Sequence, residues 1–119
     1  MAGKEKALKI VDFILSRKAK DVVVLNVGEV SGFCDYFIIC SGDSARQVKA
    51  IHDETVKLCK LNKIEIYSHQ DDESCRWILI DLFDVVLHVF LEEAREFYGL
   101  EQLWKTAKKV KIKLQSKST

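Results

Sequence analysis

Three stretches of this 119-residue chain carry residue types that could do chemistry. The first is "CSGDS", Cys40 to Ser44, a glycine-containing turn between an apolar run and a helical pattern. Helix N-termini attract anions because their first amides are unpaired and the dipole is positive there. The stretch has neither the G-x-x-x-x-G-K-[ST] nor the G-x-G-x-x-G spacing, so it reads as a turn rather than a phosphate loop. The second is Asp81 with Asp84, two carboxylates that could bind magnesium or divide acid and base roles. Residues on one face of a strand lie at even separation, and these two stand three apart across a turn, where capping the turn is the plainer reading. The third is His88, which shares a strand face with Val86 and Phe90. Ser74 and Cys75 are its candidate nucleophiles, but no spacing ties either to it. An enzyme would rest on isolated residues. The four cysteines, Cys34, Cys40, Cys59 and Cys75, include no C-x-x-C pair, and two fall in apolar patterns. They read as buried, reduced thiols, with no metal site and no cofactor.

The elements that must position these residues follow from periodicity. Ala7, Ile10, Val11, Ile14 and Leu15 recur at helical spacing and predict a helix from about Lys4 to Lys18. Asp21–Val27 and Asp35–Ser41 read as strands, with "GEVSGFC" as the loop between them. Ser44 and Gln47 stand at capping-box spacing, with Asp43 as a competing N-cap. They open a helix to about Leu61 that turns Val48, Ile51, Thr55 and Leu58 inward. A short strand is expected at Ile64–Tyr67, and an acidic turn at Asp71, Asp72 and Glu73. Arg76–Leu82 and Asp84–Leu91 form an antiparallel hairpin. It places Trp77, Leu79 and Asp81 on one face and Arg76, Ile78 and Ile80 on the other. After it, a short helix over Glu92–Tyr98 stops at Gly99. Leu100, Leu103, Trp104 and Ala107 then make one face of a second, core-closing helix. This order implies a single α/β domain of two layers, a mixed sheet flanked by helices, with a core over about 4–110 and a basic tail over 111–119.

The totals narrow the function classes. Nineteen basic and eighteen acidic residues leave a formal charge of +1, which argues against a general nucleic-acid binder. Lys105, Lys108, Lys109, Lys111, Lys113 and Lys117 crowd the C-terminal end; a solvated tail is expected, with RNA contact as its rival. Lys4, Glu5, Lys6 and Lys9 interrupt any signal-peptide core, and no apolar run approaches the roughly 20 residues of a membrane span. A cytoplasmic protein is expected.

"DYFIICSGDSARQVKAI" (Asp35–Ile51), "WILIDLFDVVLHVF" (Trp77–Phe90) and "EAREFYGLEQLWKTA" (Glu93–Ala107) together resemble the ribosomal silencing factors, the Iojap family. The resemblance runs from about Leu8 to Val110. The run from His88 through Arg95, Phe97 and Tyr98 to Trp104 is its most specific part. It departs from the family at "QDDES", Gln70–Ser74, where a glycine-containing segment is usual, and at Cys75. The resemblance implies a nucleotidyltransferase-like core without the catalytic motif. It implies a protein, not an enzyme, that binds the large ribosomal subunit through ribosomal protein number fourteen. So placed, it would block joining of the small subunit and repress translation when nutrients are scarce. Organellar relatives imply an alternative in large-subunit assembly, and bacterial ones a homodimer. A magnesium-dependent nucleotidyltransferase using Asp81 and Asp84 is the remaining alternative. Family-matching positions, with charge complementarity to a basic ribosomal protein, select Trp77, Asp81, Asp84, His88, Tyr36, Arg95 and Tyr98 as the expected partner contacts.

Overall fold

A computed structural model describes residues 2–32, 34–70 and 74–112. The expected acidic turn at 71–73, with Lys113 and Lys117, lies outside them. The elements run α1 (Gly3–Leu15), β1 (Lys20–Asn26), α2 (Gly28–Ser31), β2 (Tyr36–Gly42), α3 (Ala45–Leu61), β3 (Ser68–Gln70), β4 (Trp77–Asp81), β5 (Val85–Leu91), α4 (Glu92–Tyr98), α5 (Leu100–Leu103) and β6 (Lys108–Val110). They build one mixed six-stranded sheet in the order β3-β4-β5-β2-β1-β6. β2 and β5 are parallel, and every other neighbouring pair is antiparallel.

The two long helices form because their apolar residues keep helical spacing. α1 buries Ala7, Ile10, Val11, Phe13 and Ile14, and α3 buries Val48, Ile51, His52, Thr55 and Cys59. Both lie on one face of the sheet, over Ile38, Cys40, Ile78, Ile80, Leu87 and Val89. The other face carries a smaller cluster of Leu25, Phe37, Ile39, Val86, Phe90 and Leu100. Strand alternation creates this division: β4 reads half-buried, buried, half-buried, buried, half-buried from Trp77 to Asp81. The central strands β2 and β5 are covered on both faces and so run almost wholly buried.

Ser44 is the N-cap of α3, ahead of Asp43: its Oγ accepts the Gln47 amide at 3.2 Å. The box does not close on Ser44. Gln47 Oε1 accepts the Asp43 amide instead, and Gln47 Nε2 donates to the Lys18 carbonyl at 2.9 Å, tying α3 to the end of α1. Gly42 sits where β2 meets α3. A Cβ there would lie 2.9 Å from Val48 Cγ2 and 3.1 Å from the Val48 backbone nitrogen.

Five expectations are corrected. The strand predicted at Ile64–Tyr67 forms instead at Ser68–Gln70. Ser68 pairs with Asp81, the last residue of β4; the Tyr67 amide still reaches the Asp81 carbonyl at 2.8 Å, but the chain before it runs past the end of its partner. α2 replaces part of the expected loop and ends at Gly32 in the left-handed region. Leu58 is only half-buried, and His52 takes an inward place on α3. β6 forms within the lysine-rich end, pairing Lys108–Val110 with Val24–Asn26; one apolar residue in three residues leaves no alternation to detect. The second C-terminal helix is only Leu100–Leu103. Leu100 is buried, but Leu103 is 76% exposed and does not close the core.

Candidate functional site: an aromatic sheet face

β4 and β5 place Trp77 and His88 on the face away from α1 and α3. Their register pairs Trp77 with Phe90 and Leu79 with His88, so Trp77 and His88 are diagonal neighbours on adjacent strands. Trp77 Nε1 donates to His88 Nδ1 at 3.2 Å. The indole lies over Phe90, centroids 4.9 Å apart and planes at 28°, and Tyr98 flanks it at 4.9 Å. His88 meets Phe37 edge-on at 4.7 Å, and Phe37 meets Trp104 edge-on at 5.2 Å. Trp77 is half-buried on this platform, whereas His88 is 4% exposed.

The indole N–H can only donate, so His88 Nδ1 must be its unprotonated acceptor and Nε2 carries the hydrogen. That Nε2 is buried without a hydrogen-bond partner. Burial disfavours the imidazolium and pushes the His88 pKa down from 6.5 to about 4, leaving the ring neutral at pH 7. A neutral imidazole whose basic nitrogen is taken up by an indole is arranged to orient Trp77 rather than to move protons.

The remaining expected contacts are distributed elsewhere. Asp81 Oδ1 accepts the Phe83 amide at 2.9 Å and so caps the β4–β5 turn. Asp84 accepts from Lys6 Nζ at 2.7 Å, and the same ammonium donates to the Leu82 carbonyl at 3.0 Å. The two aspartates are thus engaged separately, one by the turn and one by α1. Tyr36 packs against the helix-side cluster beside Gly3, on the opposite face from Trp77. Arg95 is turned inward: Nε and Nη2 hold Glu101 at 2.7 and 3.1 Å, and Nη1 donates to Ser41 Oγ at 2.9 Å. This fork holds the Glu101 carboxyl below the usual carboxylate range. Arg95 therefore ties α4 to α5 and to β2.

The structure brings Trp77, His88 and Tyr98 together, and adds two residues not among the expected contacts. Phe90 is the platform under Trp77, and its parity with His88 was visible in the sequence. Phe97, 76% exposed on α4, stood in the sequence as part of the run that carries the family resemblance, but nothing there marked it as exposed. The four cysteines are buried thiols. Burial pushes the Cys40 thiol up to about 12 and the Cys59 thiol up to about 11. Among the described residues no group of three histidine, cysteine or carboxylate side chains stands where it could hold a metal ion, and no helix is long and apolar enough to cross a membrane.

The model of the family "Ribosomal silencing factor during starvation" matches residues 2–119. The chain belongs to the ribosomal silencing factor family. A ribosomal silencing factor of Halalkalibacterium halodurans is 41% identical over 112 residues, covering 94% of this chain and 96% of that one. Among organellar relatives, mouse "Mitochondrial assembly of ribosomal large subunit protein 1" is 33% identical over 101 residues, 80% of this chain and 43% of its own. Chloroplastic Iojap of Arabidopsis thaliana is 32% identical over 101 residues, 85% of this chain and 42% of its own. A crystal structure of a Chromobacterium violaceum protein superposes with a TM-score of 0.85 at 29% identity, covering 99% of this chain and 98% of that one. One from Bacillus halodurans superposes at 0.79 with 40% identity, covering 91% and 99%. The mixed sheet and its helices are thus a ribosomal silencing factor fold.

Proposed function

We propose that this silencing factor binds the large ribosomal subunit through ribosomal protein number fourteen. There its bulk keeps the small subunit from joining, and translation is repressed under nutrient limitation in the cytoplasm. Family membership supports the ribosomal role. The observation that carries the binding mode is Trp77: a half-buried indole, tethered by His88 and seated on Phe90, on the sheet face that the long helices leave uncovered. Aromatic residues held rigidly lose little entropy on binding and concentrate at interface centres. A standard interface of about 800 Å² per partner fits one sheet face of a domain this size. The reading requires no catalysis. Trp77 and Tyr98 form the contact, His88 holds Trp77 in place, and Asp81 lies at the end of the same face. Arg95 serves by fixing α4 and α5. Tyr36 and Asp84 lie on the α1 side and form no part of this patch.

The test is sedimentation with purified subunits. The wild-type protein should co-migrate with large subunits and reduce the yield of joined ribosomes. Trp77→Ala should weaken co-migration at least about tenfold while keeping the far-UV spectrum of the wild type. Undiminished binding by that folded variant removes Trp77 from the contact. The name of the mouse relative favours a second reading, participation in large-subunit assembly. Depleting the protein in growing cells would then accumulate large-subunit precursors, which steric blocking alone does not produce.

A further inference from the structure

The aromatic arc continues beyond Trp77 onto α4. Tyr98 is 42% exposed, and Phe97 meets it edge-on at 5.3 Å while itself 76% exposed. Phe97 does not serve the core, since Ala94 is the buried residue of α4. The surroundings of this ledge are acidic. Glu93 stands one helical turn before Phe97, and Glu96 beside it; both are exposed, and neither enters an ion pair among the described residues. The one arginine of α4 is taken up by Glu101. Arg76 lies 6.0 Å over the Phe97 ring and already uses it as a cation–π face.

Two classes of occupant are disfavoured by charge. Ribosomal RNA would bring phosphates against glutamates. A second copy docked symmetrically on the same ledge would set these glutamates against themselves. A basic protein segment meets both features at once: the methylenes of a lysine or arginine lie on the aromatic ring, and its charged head reaches the carboxylates. Resting on the reading that this protein binds the large subunit, we infer that Phe97, beside Tyr98 and flanked by Glu93 and Glu96, extends the Trp77–Tyr98 contact into a further docking surface on α4. Its occupant is a lysine- or arginine-bearing protein segment of that subunit.

The experiment compares Phe97→Ala, the double variant Glu93→Lys with Glu96→Lys, and a distant control, Glu65→Lys, in binding to purified large subunits at low and high salt. Thermal melting followed by circular dichroism verifies that each variant is folded. Phe97→Ala and the double variant should each bind about tenfold more weakly, the double variant with a shallower salt dependence, and the control within about twofold of wild type. Tighter binding by the double variant would put RNA at the ledge and overturn the inference. So would unchanged binding by both, or a loss confined to self-association in light scattering. If Trp77→Ala weakens binding while the ledge variants do not, the inference falls and the strand-face reading stands. If the wild-type protein does not bind large subunits, both fall.

Discussion

His88 is committed on one ring nitrogen and buried on the other, and this makes its protonation a stability question. Its pKa falls from 6.5 in the unfolded chain to about 4 in the fold, so the unfolded state binds the proton first as pH drops. The neutral ring's contribution is fully present above pH 6.5, shrinks as pH falls, and is gone below about 4. Urea unfolding of the wild type should weaken across that window, and His88→Gln should flatten this part of the profile. A wild-type profile identical to that of His88→Gln would contradict the assignment. Protonation of the folded-state ring also removes the acceptor for Trp77, so tryptophan fluorescence should change only near pH 4, at the acid end of that window. Trp77→Phe keeps the stack on Phe90 but deletes the donor; it should cost about 1 kcal/mol in chemical denaturation. Alternation alone placed Trp77 with Leu79 and Asp81, and His88 with Val86 and Phe90. Their hydrogen bond was not legible, because a diagonal contact depends on the register between β4 and β5.

The junctions between elements carry the strain and the close approaches. Gly42 leaves room for Val48, so Gly42→Ala should destabilise the domain by about 1–3 kcal/mol, read from the urea midpoint. Phe83, in the β4–β5 turn, is held at a φ of 78° that suits glycine better than an aromatic residue. Phe83→Gly should therefore stabilise by about 0.5–1 kcal/mol, net of losing an edge-on contact with Tyr67 at 5.3 Å. A lower midpoint would mean that the Tyr67 contact outweighs the backbone strain. Arg95→Ala removes the fork that joins α4, α5 and β2, and should cost about 1–3 kcal/mol because its side chain is only 13% exposed. Gly99 was legible as the end of α4, and adopts the left-handed φ of 64°. The role of Arg95 was not: Ser41 is 54 residues away in the chain, and only folding brings the two together.

At the scale of the whole molecule, the sheet is finished by its last strand. β6 covers the edge of β1, and Val110 and Ile112 pack against the helix-side core. Truncation after Ala107 should lower stability by about 1–2 kcal/mol and promote association, since Val24–Asn26 would then present unpaired backbone at a sheet edge. Light scattering and thermal melting would register both effects; an unaffected melt would make β6 dispensable. The sequence by itself determined the helices α1 and α3, the core strands, the mixed-sheet class and the family, because each rests on local periodicity or on a long ordered run of residue types. The tertiary structure alone decided which face of the hairpin the long helices cover, where β3 and β6 join the sheet, and which polar residues are spent holding the fold. Those outcomes depend on pairing register and on contacts between residues far apart in the chain, and neither leaves a local periodic signal. Asp84 and Arg95 illustrate the point: both have the chemistry of a contact residue, and packing gave one to Lys6 and the other to Glu101 and Ser41.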